Sequence, residues 1–308
     1  MNLYFAPLEG IGTYVYRRAH QKLFGGCDAY FAPFITPSDN ERISLKCLRD
    51  ILPENNENVN LKVQVLTNRA DSFLKFEEKI VPLGYDSVNI NLGCPSGTVC
   101  KKGRGSAFLK YPDDLDAFLE EIFSESQLNI SVKKRIGFDN AQESDALTEI
   151  MKKHPLSLLI VHPRLRKDFY KGYPDIGTFS KIYSSYNKPL CYNGDIFSYS
   201  DYEEIRKQFP NLEGVMIGRG AITNPAIFRE IKGGKKLSTS ELEEFSYILI
   251  DDYLKVLGSD WYTLNRLKEI WLYSISNYPS EKKIAKEIKK AQKLSSLTGA
   301  IRKLPEIE

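Results

Sequence analysis

Short runs of β-branched and aromatic residues alternate with amphipathic or charged segments of helical length along most of the chain. The apolar runs 3–8, 30–36, 61–66, 87–92, 129–136, 157–162, 188–193 and 212–217 read as buried strands. Helical patterns fill the gaps at 70–81, 113–124, 142–152 and 199–208, with Asp113, Asp114 and Ser198 where N-caps are expected. The segment 37–60 is polar, irregular and asparagine-rich, so the second unit is the least regular. Eight strand-then-helix units within roughly 230 residues predict a (β/α)8 TIM barrel. An open doubly wound sheet is the alternative, but no G-x-G-x-x-G follows the first strand to support it.

The rhythm changes near residue 231. A short Lys- and Gly-rich stretch leads to Ser238 and Thr239, either of which suits a helix N-cap, and the pattern to 294 is helical throughout. Leu264, Leu267, Trp271 and Ser274 share one helix face, and Ile284, Ile288 and Ala291 another. Trp261 and Trp271 both read as packing residues. The expected organisation is a catalytic barrel over 1–235 and a small C-terminal helical domain over 236–308.

Composition narrows the class. The 308 residues are 42% hydrophobic and 27% charged, ordinary for a globular protein. No apolar run approaches the ~20 residues that span a bilayer. The start, Met1 to Tyr4, lacks a basic region and an apolar stretch, so no secretory signal is expected. Cysteines 27, 47, 94, 100 and 191 form no C-x-x-C pair, which fits free thiols in a reducing cytoplasm. His20, His154 and His162 form no H-x-x-x-H pair, so no metal site is expected. The net charge of +3 says little, but 281–293 holds six lysines and two glutamates. A solvated helix face is the commoner meaning of such a run, and a phosphate-facing nucleic-acid patch is the functional one.

The candidate chemistry gathers at the strand ends, where barrels of this class keep their active sites. The fourth strand runs into N-L-G-C-P at 91–95 and then a Gly-, Ser- and Lys-rich loop. Cys94 alone reads as a buried loop cysteine. Its neighbours change that reading: Glu9 after strand one, Gln64 on strand three, Lys133 and Arg135 on one side of strand five, His162 ending strand six, Asn193-Gly194-Asp195 after strand seven and Gly218-Arg219-Gly220 after strand eight. A buried lysine or arginine is costly without an anionic partner, so together these residues predict a ligand. The G-R-G turn after the last strand, with Asn193-Gly194, suits a phosphate. An amide at Gln64 and a cation at Lys133 suit the polar edge of a flavin ring. Opposite them, an unperturbed Cys94 thiol, with a pKa of about 8.5, is a proton donor at neutral pH.

These motifs resemble the tRNA-dihydrouridine synthase family. A-P-L-E-G at 6–10, V-Q-V at 63–65, N-L-G-C-P at 91–95 with G-R-G-S-A at 103–107, V-K-K-R-I-G at 132–137, V-H-P-R at 161–164, N-G-D-I at 193–196 and G-V-M-I-G-R-G-A at 214–221 follow the family's order. The resemblance implies an FMN protein that uses NADPH to reduce the C5–C6 bond of a uridine in tRNA. It implies that Pro7, Leu8, Glu9, Gln64, Lys133, His162, Asn193, Gly194, Asp195, Gly218 and Arg219 hold FMN. Cys94 would be the proton donor, and Asn91, Arg135 and Tyr170 would contact the uracil. The helical tail would help to hold tRNA, with Lys286, Lys289 and Lys293 facing its backbone, and the protein is expected as a monomer without membrane or metal partners. The chain departs from the family at three places: Leu8 replaces a methionine, Tyr14 stands where an aspartate is usual, and Pro163 stands where glycine is common. The competing readings are an FMN-dependent small-molecule pyrimidine or enoate reductase and a non-catalytic RNA-binding protein on a barrel scaffold.

Overall fold

The computed structural model describes residues 1–37 and 43–307. Part of the irregular 37–60 segment therefore lies outside the described residues. The elements follow in order: β1 Asn2–Phe5, α1 Tyr14–Leu23, β2 Ala29–Phe31, α2 Leu45–Ile51, β3 Leu61–Val65, α3 Ala70–Ile80, β4 Ser87–Leu92, α4 Gly97–Cys100, α5 Pro112–Glu125, β5 Asn129–Gly137, α6 Glu143–Lys153, β6 Leu158–Leu165, α7 Ile176–Ser185, β7 Leu190–Tyr192, α8 Tyr199–Gln208 and β8 Gly214–Ile217. All neighbouring strands pair in parallel, and β8 pairs back onto β1 to close the barrel. The TIM barrel expected from the alternation is thus the observed architecture.

Alternation within the strands splits the barrel into two apolar sets. Leu3, Phe5, Leu159, Val161, Val215 and Ile217 belong to the large core shared with the surrounding helices. Ala6, Phe31, Leu158, Ile160, Cys191 and Met216, with Tyr4 packed against them, form a separate small cluster on the opposite strand faces, which point inward. Beside it runs a polar chain: Gln64 donates to Asn89 (2.6 Å), and Asn89 donates to Ser131 (2.9 Å). The interior is therefore part apolar plug and part hydrogen-bonded polar wall.

Some boundaries differ from expectation for local reasons. The run 3–8 leaves the sheet after Phe5, and 30–36 contracts to Ala29–Phe31 with a single later bridge from Ile35 to Val65. Asp113 and Asp114 are not caps. Pro112 takes the first helical position, where its missing N–H costs nothing, and the two aspartates lie in the first turn. Ser198 does cap α8, in a capping box with Asp201. Pro163 lies inside β6 at a register irregularity: Arg135 pairs His162, yet Gly137 pairs Leu165. A strand tolerates proline where the ladder is already broken.

After β8, α9 Arg219–Thr223 and α10 Ile227–Ile231 lead to α11 Thr239–Leu257, α12 Asp260–Ser274, α13 Lys282–Lys290 and α14 Leu294–Ile301. Ser238 caps α11 in a capping box with Glu241, whose carboxylate also pairs with Arg229. Leu242, Phe245, Leu249, Leu264, Leu267, Trp271, Ile284 and Ile288 join the same core as the barrel's outer layer. Trp271 is buried and donates to Ser246 (3.0 Å). Trp261 is not a packing residue: it is 64% exposed on the outer face of α12. His20 and His154 have structural partners, Tyr30 and the Pro225 carbonyl for the first and Asp116 for the second. All five cysteines are free. Among the described residues, no helix is long and apolar enough to cross a membrane, and no side-chain group is placed to hold a metal ion.

Candidate active site

The loop after β4 is built to present Cys94. Asn91 is the next-to-last residue of the strand, and its Oδ1 accepts from the Gly93 N–H (3.0 Å) and the Cys94 N–H (2.9 Å). This is the local side-chain-to-backbone closure that asparagine favours at turns. The Nδ2 of Asn91 donates to Gln64 (2.8 Å), so the thiol loop is tied to the polar wall inside the barrel. From the other side, Arg135 Nε donates to the Gly93 carbonyl (2.9 Å). The glycine loop then folds back, and Ser106 donates to the Cys94 carbonyl from its N–H (3.1 Å) and its hydroxyl (2.9 Å). Gly105 has φ +60°, and a Cβ there would lie 2.9 Å from the Cys94 carbonyl oxygen, so only glycine fits. Burial raises the Cys94 pKa. The thiol therefore stays protonated through neutral pH.

Across the pocket stand the cations. Lys133 is pushed down to about 8, first by burial and then by the charge of Arg135. His162 is held far below its usual range by burial and by Lys133, Arg135, Arg164 and Arg219. It is therefore neutral, and Arg164 donates to its Nε2 (3.0 Å), which leaves the ring proton on Nδ1. Arg164 also forms a two-toothed pair with Asp195 (3.1 and 2.6 Å) and donates to the carbonyls of Lys171 and Gly172. Asp195 accepts from Arg219 as well. Tyr170 stacks over His162, with ring centroids 6.1 Å apart, and the Arg219 guanidinium lies 4.9 Å from the Tyr170 ring. Phe169, just before it, has φ +50°, a strained conformation for a bulky residue. Arg135 helps to hold it there by donating to the Phe169 carbonyl (2.8 Å).

The thiol loop and the cations Lys133, Arg135 and Arg219 line one pocket of ≈ 260 Å³, with His162 and Tyr170. Of the residues singled out from the sequence, it gathers Pro7, Leu8, Glu9, Gln64, Asn91, Cys94, Lys133, Arg135, His162, Tyr170 and Arg219. Asn193, Gly194, Asp195 and Gly218 are absent from its wall. Asn193 donates to the Met216 carbonyl (2.8 Å), and Asp195 supports the wall through Arg219. Gly194 has a packing reason of its own, since a Cβ there would lie 1.9 Å from the Tyr192 hydroxyl. Lys286, Lys289 and Lys293 are exposed and absent from the pocket wall, on α13 and at the start of α14.

Three contributions were not read from the sequence. Arg164 organises the cation wall, although only its place two residues after His162 on the same strand signalled it. Pro33 and Phe34, after β2, close one side. Glu269 and Tyr273 of α12 close another, so the helical region forms part of the site. A second cavity of ≈ 350 Å³ shares Glu9, Pro33 and Phe34 with the first and continues between α2, the end of α11 and Arg266. Tyr14, where the family has an aspartate, lines that second cavity, and its N–H donates to Asp50 (2.7 Å).

Relatives place this geometry. The chain is 28% identical over 257 residues to tRNA-dihydrouridine synthase B of Pseudomonas putida (strain KT2440), covering 81% of this chain and 74% of that one. It is 29% identical over 280 residues to tRNA-dihydrouridine(16) synthase of Neisseria meningitidis serogroup B, covering 87% and 83%. Among solved structures, morphinone reductase shares the fold at 11% identity, with a TM-score of 0.51 over 76% of this chain and 86% of that one. The family model for dihydrouridine synthase (Dus) spans residues 4–295, from the first strand through the barrel and its thiol loop into the C-terminal helices, and the chain belongs to that family.

Proposed function

We propose that this protein is an FMN-dependent tRNA-dihydrouridine synthase that uses NADPH to reduce the C5–C6 bond of a uridine in tRNA. The observation that carries the reading is the convergence in one pocket of a protonated thiol, Cys94, with the donor wall of Gln64, Lys133, His162 and Arg219. That donor set fits FMN. Arg219 shares its acid, Asp195, with Arg164, and Lys133 has the charge of Arg135 beside it, which leaves room for an anionic group. Lys133 and Gln64 would hold the polar edge of the ring, and Arg219 its phosphate. Bound there, FMN supplies the hydride.

The chain's own residues do the rest. The Cys94 thiol protonates C5 of the uracil, and burial keeps that proton in place until it is needed. Asn91 and Arg135 fix the thiol loop from its two sides, so their first role is to aim the sulfur. The guanidinium of Arg135 still has N–H groups beyond those given to Gly93, Leu165 and Phe169, and these would face charge building on the uracil carbonyls. Tyr170, half exposed over His162, would cover the base. The target uridine must leave its stack to reach this depth. The test is nucleoside mass spectrometry of tRNA treated with the protein and NADPH, together with the flavin spectrum of the purified protein. New dihydrouridine supports the reading. Flavin turnover that leaves tRNA unchanged moves it to a small-molecule reductase.

Two further outcomes are expected. Lys133 loses its charge as pH rises through about 8 in the ligand-free protein. A hydrogen-bond acceptor on the ring edge beside it favours the charged ammonium and raises that value, so binding takes up a proton and weakens as pH rises. FMN affinity should hold below pH 8 and fall by up to about tenfold per pH unit above it. Fluorescence titration on either side of pH 8 checks this, and a flat profile removes Lys133 from the site. Second, replacing Lys286, Lys289 and Lys293 with glutamate should weaken tRNA binding. It should also cut the slope of log affinity against log salt by roughly 0.7–0.9 per lost phosphate contact. An unchanged slope returns that face to plain solvation.

A further inference from the structure

The cavity of ≈ 350 Å³ adjoins the active-site pocket at the barrel mouth, and the two share Glu9, Pro33 and Phe34. The Arg266–Glu269 ion pair (2.6 Å) bridges the join, with Arg266 on the cavity wall and Glu269 on the pocket wall. Gly10, at φ +82°, lets that arginine approach, since a Cβ there would lie 3.1 Å from its Nη1. The inner wall is apolar and buried: Val15 and Ile35 are 2% exposed and Tyr253 3%. Tyr14 and Phe34 add two rings. A void of this size and lining takes a small organic ligand.

The outer edge carries charge. Lys46 and Arg49 of α2 line the cavity and are exposed, and among the described residues neither forms a salt bridge. Asp50, on the same wall, is already engaged by Arg17 (3.1 Å) and by the Tyr14 N–H (2.7 Å). Glu9 faces the positive charge of Lys46 and Arg266 at the join. Tyr14 stands where the family has an aspartate, so this chain has a ring on the wall in place of an acid. The recess therefore suits a ligand with a flat ring at depth and an anionic group at the rim. One end of a dinucleotide can fill it, whereas a continuous RNA strand needs an open path on both sides.

We propose that this cavity seats the adenosine end of NADPH, with the adenine ring against Tyr14 and Phe34 and the 2′-phosphate at Lys46 and Arg49, while the nicotinamide end passes Glu9 into the active-site pocket. The inference rests on the flavin-and-NADPH half of the reading above and says where the reductant binds. The 2′-phosphate is the group that NADPH has and NADH lacks, so Lys46 and Arg49 set the preference between them.

The test uses the flavin-loaded, full-length protein. Adenosine 2′,5′-bisphosphate should bind in calorimetry and compete with NADPH for flavin reduction, and 5′-AMP should bind about tenfold more weakly. Lys46→Glu/Arg49→Glu should raise the NADPH KM of flavin reduction about tenfold or more, change the NADH KM far less and leave the limiting rate alone. Both side chains are exposed, so flavin content should not change. With the flavin reduced by dithionite instead, the double variant should form dihydrouridine at the wild-type tRNA KM. An unchanged NADPH KM and undiminished binding of the bisphosphate in the double variant overturn the inference and leave the synthase reading standing. A raised tRNA KM after dithionite, with the NADPH KM unchanged, gives the cavity to RNA and overturns it as well. The expected NADPH pattern in a protein that forms no dihydrouridine supports the site and overturns the synthase reading. A wild-type flavin that NADPH does not reduce overturns the inference together with the choice of reductant.

Discussion

Replacing Cys94 with alanine should lower the rate of dihydrouridine formation by about 10²–10⁴-fold, the usual worth of a positioned general acid. Bound flavin and its reduction by NADPH should persist, because no group in the Lys133–His162–Arg219 wall hydrogen-bonds to the thiol. The separation between the two half-reactions is the informative part. Asn91 and Ser106 grip the backbone around Cys94, so the loop keeps its shape when the sulfur is removed. The raised thiol pKa adds a pH signature. With FMN kept saturating, the wild-type rate should hold through neutral pH and fall only where the thiol ionises, above the ordinary cysteine range. Rapid-mixing absorbance for the flavin and nucleoside mass spectrometry for the tRNA read the two halves separately. An alanine variant that makes dihydrouridine at the wild-type rate removes the thiol from the chemistry.

The second large effect should come from Arg164, which touches neither end of that reaction. Its side chain is 1% exposed and joins His162, Asp195 and two carbonyls of the following loop. Arg164→Met removes the buried donor from His162 and two carbonyls and leaves Asp195, 26% exposed, to Arg219 alone, which should cost about 1–3 kcal/mol. Flavin content should drop with it, because Asp195 then holds Arg219 alone and the His162 tautomer is no longer set. Arg164→Lys should not rescue, since an ammonium cannot make the two-toothed contact. Urea unfolding and the flavin-to-protein absorbance ratio check the two consequences. Wild-type stability together with full flavin occupancy in Arg164→Met would contradict this account of the wall.

What the sequence made legible was local. Strand, loop and thiol at 87–94 lie next to one another in the chain, and alternation alone puts Lys133 and Arg135 on one side of β5. Ser198 and Ser238 cap helices through partners three residues away. What was not legible depended on distant parts of the chain. Arg164 gains its role from Asp195, 31 residues on, and Glu269 and Tyr273 reach the pocket only because α12 lies against the barrel. Asn91 shows the same limit from another side. The resemblance implied a uracil contact for it, whereas the occupation of its carbonyl oxygen by the thiol loop shows only in the folded chain. Trp261 and Trp271 looked alike as helical aromatics, but the burial of α12 falls on the Trp271 face. Asp113 and Asp114 have the residue type of caps, but the preference of Pro112 for the first helical position places them inside the first turn.

The central claim is that this pocket reduces uridine in tRNA. Its most direct test is mass spectrometry of nucleosides from unmodified tRNA incubated with the flavin-loaded protein and NADPH. Dihydrouridine that appears with the wild-type protein and is absent with Cys94→Ala is the predicted result. NADPH consumption with no dihydrouridine in any tRNA contradicts the claim.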